Sequence, residues 1–219
     1  MRLFKPNTMN WKYILGEVLL IFIGINLAIW FNNWNETNKI NTNKKIALDK
    51  IEAEIQNNLE ELRAARQINI KIPKAIANYK EFVFKGNGHP VSEISQMQDF
   101  QKEYSGFFQI KDSVRINDSV YRYLGDTKIN IELAELSEIA WETSRHMGIA
   151  NEFGYECLYE LENMYNIQRL VQNEINKAAE ALQNQEIDRL IRILAFLSQL
   201  DEQLESDYNS MLGHITDCL

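Results

Sequence analysis

Hydrophobic and polar positions follow two different patterns along the chain, and the change comes early. Residues 13–31 read YILGEVLLIFIGINLAIWF, an apolar run of 19 residues with Glu17 as its one ionisable side chain. As a helix this run is about 28 Å long, close to the roughly 30 Å of a bilayer's hydrocarbon core. Glu17 lies one turn inside the leading end, where a carboxylate reaches the headgroups. Trp11 and Tyr13 mark one edge, Trp30 and Trp34 the other. Such amphipathic rings belong at membrane–water interfaces. Asn32, Asn33, Asn35 and Glu36 then end the run sharply. A cleaved signal peptide would be shorter and would end in small residues, whereas this run ends in Ile29, Trp30 and Phe31. The pattern predicts a basic leader (1–12), a transmembrane helix (13–31) and a polar connector or helix continuation (32–45). Within the span, Glu17, Ile21, Gly24 and Ala28 share one face. Gly24 and Ala28 form a small-xxx-small pair that permits close helix packing. Asn26 sits on the other side, and its amide needs a partner in its own helix or a neighbouring one.

Beyond residue 45 the apolar positions become periodic. Leu48, Ile51, Ile55, Leu59, Leu62 and Ala65 recur every three or four residues, which predicts a helix over 46–72. Pro73 should kink or restart it, with a continuation over 74–84. Residues 86–90 (GNGHP) are the clearest loop. Ser92 is a candidate N-cap for a short helix over 93–104. Residues 107–127 are rich in turn formers and fit a short irregular or β insert. Helices are expected over 131–147, closed by Gly148, and over 155–182 and 187–212. In the last, Ile187, Leu190, Ile191, Leu194, Leu197, Leu204, Tyr208 and Met211 form one stripe. The expected fold class is all-α: a transmembrane helix followed by an antiparallel helical bundle spanning 46–219.

Charge narrows the choice of partners. The net charge is −8, and the residues up to Phe31 carry +2, leaving −10 for the remainder. An acidic domain repels nucleic acid, so no nucleic-acid partner is expected. Two cysteines, Cys157 and Cys218, make no disulfide scaffold. Two unpaired thiols are the expectation, with pairing open in an oxidising compartment.

Catalytic patterns are missing from the sequence. His89, His146 and His214 have no companion at a metal-ligand spacing; His214, Asp217 and Cys218 read as a solvated tail. Neither a phosphate-binding glycine loop nor a nucleophile elbow occurs. No enzyme activity, cofactor or metal is expected. Trp141 and Arg145, with Thr143 and Ser144 between them, are a candidate ligand or partner surface. A core Trp with an exposed polar flank is the commoner use of such a segment.

Gly16-Glu17, Ile23-Gly24-Ile25, Ala28 and Asn32-Asn33-Trp34-Asn35-Glu36 together form a motif. It resembles the N-terminal anchor of a domain-of-unknown-function family of single-span membrane proteins common in the Bacteroidetes. Asn26 and Trp30 depart from that pattern. The resemblance implies topology, a span followed by a helical domain, and no activity. The reading that follows is an inner-membrane accessory protein presenting an acidic helical domain for protein–protein interaction with another membrane protein or itself. Arg2, Lys5 and Lys12 in the leader favour a cytoplasmic N-terminus and a periplasmic domain. The alternative is a ligand-sensing module that takes a small molecule between its helices and, behind so short a leader, signals through a partner subunit.

Overall fold

A computed structural model describes residues 11–218, with the side chains of Lys12 and Tyr13 excepted. Most of the expected leader and the Tyr13 ring therefore lie outside the described residues. The first element, α1, is one unbroken helix of 59 residues, Trp11–Asn69. It takes in the apolar run, the Asn-rich segment and the first amphipathic stretch, so residues 32–45 are a helix continuation. At about 1.5 Å per residue, α1 is roughly 88 Å long. An 18-residue window of its N-terminal part has mean hydropathy 2.3 and no buried residue, which makes it long and apolar enough to cross a membrane. Residues 32–46 are almost wholly exposed, a bare stalk. There Thr37 and Thr42 donate to the carbonyls of Asn33 and Asn38 four residues back. From Ala47 on, one face of the helix is buried.

Arg66 lies in the last turn of α1, and Pro73 is the second residue of α2 (Ile72–Lys85), where its missing N–H is no loss. β1 (Val91–Glu93) and α3 (Ile94–Glu103) follow. Here the sequence reading is corrected. Ser92 lies in β1, and the helix starts one residue later, capped by Glu93 with Gln96 returning the bond. The 107–127 insert is a hairpin of β2 (Phe108–Arg115) and β3 (Val120–Thr127), with β1 on its far side in the order β1-β3-β2, all antiparallel. The side chain of Asn117 closes the turn by accepting from the amides of Ser119 and Val120. Tyr79, Phe82, Phe100, Tyr104, Phe107 and Phe108 form an aromatic cluster that fastens the hairpin to α2 and α3.

The domain core is built from α1, α5 (Tyr155–Gln183) and α6 (Ile187–His214). Tyr165 meets Glu54 and Gln168 meets Asn58, so α5 runs parallel to α1. Arg63 and Arg66 meet Glu205 and Glu202, and the residues after α6 return to the start of the domain, so α6 runs antiparallel. The expected stripe of α6 is buried at Leu190, Leu194, Leu197, Leu204, Tyr208 and Met211. The fold is thus mostly helical, with one small sheet.

Two expectations are overturned. The helix expected over 131–147 is confined to α4 (Ile139–His146); residues 128–138 form neither helix nor strand. Gly148 does close α4, with φ of 72°. The C-terminal tail is packed, not solvated. Ile215 and Cys218 are buried, His214 Nε2 lies 2.6 Å from Glu160, and Cys218 forms a disulfide with Cys157 across a Cα–Cα distance of 5.6 Å. The thiols are therefore not free. The bridge ties Cys218 to the start of α5, at the end of the bundle nearest the stalk.

Candidate functional site

Three polar residues interrupt the buried face of α1: Glu54, Asn58 and Asn69. Each holds a piece of chain far away in sequence. Asn69 donates its amide to the carbonyl of Glu132 (2.8 Å) and accepts from the Glu132 N–H (2.9 Å). Asn58 does the same with Ser137, donating at 2.7 Å and accepting at 2.8 Å. The two amides thereby supply what a neighbouring strand would, and they hold the backbone at Glu132 and Ser137 along α1 in place of a helix. Behind Asn58, Gln168 donates to the Ser137 carbonyl and accepts from the hydroxyl of Tyr208.

Glu54 sets the start of α4. One carboxylate oxygen accepts from Ser137 Oγ and the Ala140 amide, both at 2.8 Å. The other accepts from the Trp141 amide at 3.3 Å and the Tyr165 hydroxyl at 2.8 Å. Ala140 and Trp141 are in the first turn of α4, so a carboxylate from α1 does what an N-cap side chain ordinarily does and opposes the helix dipole. Burial and then the Glu54 charge hold the Tyr165 phenol far above its ordinary range. Burial likewise raises Tyr208.

Trp141 is wholly buried and stacked on Tyr165, with ring centroids 5.4 Å apart. Arg145 lies over the Trp141 ring at 5.8 Å from its centroid and pairs with Glu142 and Glu162. The two residues come together, but as a core anchor with an ion-paired flank. Trp141 presents no surface.

The surface that α4 does present lies beside it. Ile46, Lys50 and Ala53 of α1 face Ile139, Thr143 and Met147 across an open groove of about 540 Å³. Ile46 is 54% exposed, Ile139 75% and Met147 68%. These exposed apolar side chains border one groove. Among the described residues no sequence signal marked the groove, since Ile46 and Ile139 look like ordinary core positions of a stripe. The signal that was available was the polar interruption of the α1 stripe at positions 58 and 69.

In the apolar segment of α1, Glu17, Ile21, Gly24 and Ala28 lie on one exposed face, and among the described residues no other element covers it. A side chain built at Gly24 would touch nothing within 4 Å. Trp11, Trp30 and Trp34 are exposed, and Phe31 packs on Trp34 at 5.9 Å. Asn26 finds its partner in its own helix, donating to the Phe22 carbonyl at 2.7 Å.

Comparison with protein-family models, with curated proteins and with solved structures gives no match in any of the three.

Proposed function

We propose that this chain is a single-pass inner-membrane accessory protein that holds a helical docking domain at a fixed height and angle above the bilayer, for interaction with another membrane protein. The observation that carries this reading is the continuity of α1. One helix of 59 residues is both the apolar segment and the central strut of the domain core. A domain joined this way keeps its orientation relative to the span, which serves a subunit that must present one surface to a neighbour. The exposed groove between α1 and α4 is the surface it presents.

The domain is placed on the periplasmic side, with the N-terminus in the cytoplasm. Two features support this. The leader is basic. A Cys157–Cys218 bridge needs an oxidising compartment to persist. The likeness of the anchor motif to a family of single-span proteins agrees with the same topology.

A topology-resolved pull-down tests the proposal. Protease added outside the inner membrane should cut the exposed turn at 86–90 in intact spheroplasts. The protein extracted in mild detergent should bring down a reproducible set of membrane proteins. A protected loop would reverse the orientation, and the absence of partners would refute the accessory role.

A further inference from the structure

The groove between α1 and α4 lies on a particular side of α1. Ile46 follows Ala28 by 18 residues, five whole helical turns; Ala53 follows Glu17 by 36, ten turns; and Asn57 follows Ile21 by 36. Because α1 is unbroken, the groove opens along the line that carries Glu17, Ile21 and Ala28 in the span. A helix leaving the membrane beside that face would run up the stalk and into the groove without crossing over α1.

Charge selects what such a helix would be. Lys39 and Lys50 lie on this line, one on the stalk and one on the groove wall. Among the described residues neither forms an ion pair: the lysines that do are Lys80, Lys111 and Lys177, and Lys44 has a partner of its own. In a domain that is acidic overall, this basic line is a local exception. A second copy of α1 laid parallel along it would set Lys39 against Lys39 and Lys50 against Lys50, which disfavours self-pairing. A bilayer lipid is also a poor occupant. The groove begins at Asn43, about 18 Å beyond Phe31 at 1.5 Å per residue, farther out than the headgroup layer extends.

We propose that the α1–α4 groove docks the juxtamembrane helix of a different membrane protein, a helix with an apolar stripe flanked by carboxylates. The stripe covers Ile46, Ile139 and Met147, and the carboxylates meet Lys39 and Lys50. This rests on the accessory reading above and specifies its partner's chemistry.

The test uses the full-length protein in nanodiscs of zwitterionic lipid and two labelled 18-residue amphipathic peptides. Both carry leucine at i, i+3, i+4 and i+7; one has glutamate on the flanks, the other lysine. The glutamate peptide should bind about tenfold tighter, the scale of two rim charge contacts. The double variant Lys39→Glu/Lys50→Glu should reverse the preference, and Ile139→Asp should lose binding of both peptides. Ile139 is exposed at the first turn of α4, where an aspartate suits the helix dipole, so an unchanged melting curve is expected for that variant. No binding, no preference, or full binding to Ile139→Asp would overturn the proposal. A photo-crosslinker at position 139 in cells adds a second arm. An adduct on the juxtamembrane helix of another membrane protein supports it, whereas an adduct with a second copy or with lipid overturns it. The pull-down separates the two levels. If Ile139→Asp retains the partners of the native protein, the groove assignment fails and the accessory role stands. If the native protein has no partner, the accessory role fails.

Discussion

Replacing Glu54 by glutamine is the most informative single change in the domain. The side chain keeps its shape and loses one acceptor oxygen and its charge. In the native protein both oxygens are occupied by donors: Ser137 Oγ and the Ala140 amide on one, the Trp141 amide and Tyr165 hydroxyl on the other. A glutamine can turn only one oxygen towards such a pair. Its NH2 group must face the other two donors and leave them unmet. Glu54 is 8% exposed and Tyr165 wholly buried, so water replaces little. A buried unsatisfied donor costs about 1–3 kcal/mol. Loss of the charge facing the α4 dipole adds about 0.5 kcal/mol or more. A destabilisation of about 3 kcal/mol is expected for Glu54→Gln. Denaturant titration of the full-length protein in detergent, followed by near-ultraviolet circular dichroism of the stacked Trp141–Tyr165 pair, reads it. Tyr165→Phe removes one of the four donors, so the double variant should cost less than the two single changes together. Coupling of about 1 kcal/mol is expected. A glutamine variant within 0.5 kcal/mol of the native protein, or additive single changes, would refute the view that this carboxylate organises the start of α4.

Reduction of Cys157–Cys218, or Cys157→Ser, opens a loop with a sequence separation of 61. Chain entropy puts the loss near 4 kcal/mol, a fall in Tm of roughly 10 °C; alkylation of the protein taken directly from cells should find no free thiol. Asp201 on α6 is 5% exposed, and burial pushes its carboxyl up to about 7, with Arg66 pulling the other way. The folded protein therefore holds this proton more tightly than the unfolded chain, so stability falls as pH rises from about 4 to 7 and is level above that. Asp201→Asn should flatten this slope and raise stability at pH 8 by about 2 kcal/mol, read from urea midpoints across pH. A methyl at Gly125 would lie 2.0 Å from the backbone oxygen of Gln109 in β2. Gly125→Ala should thus strip hydrogen-exchange protection from the β2–β3 ladder while leaving the bundle's unfolding midpoint nearly unchanged.

The elements visible in the sequence are those governed by short-range periodicity. The apolar run, the stripes of α5 and α6, the restart at Pro73 and the turn-rich insert all follow from residues within a few turns of each other. The misread parts depend on partners far along the chain. Residues 128–138 carry a helical pattern in isolation, yet Asn58 and Asn69 capture their backbone from 79 and 63 residues away. Cys157 and Cys218 are brought together only because Ile215 packs under the bundle. Trp141 has polar neighbours in sequence, and its ring turns inward onto Tyr165, the core use that is commoner for such a segment. The groove is not legible in the sequence, because an unpaired apolar position and a core position look alike until the neighbouring element is located. Glu54 and the two asparagines did leave a trace, as polar side chains set into an otherwise apolar helical face.

The two asparagine rungs also tie together two lengths of chain. From Asn58 to Asn69 the helix advances 11 residues, about 16.5 Å at 1.5 Å each. From Ser137 back to Glu132 the extended chain covers 5 residues, about 16.5 Å at 3.3 Å each. The distances agree only for these residue numbers. One residue added to α1 between the rungs swings Asn69 about 100° around the helix. One residue added between Glu132 and Ser137 moves the second rung by about 3.3 Å and presents the wrong side of the backbone. Point changes can accumulate in either segment, but insertions and deletions cannot. Among descendants of this chain, these two intervals should keep their lengths long after their residues have diverged.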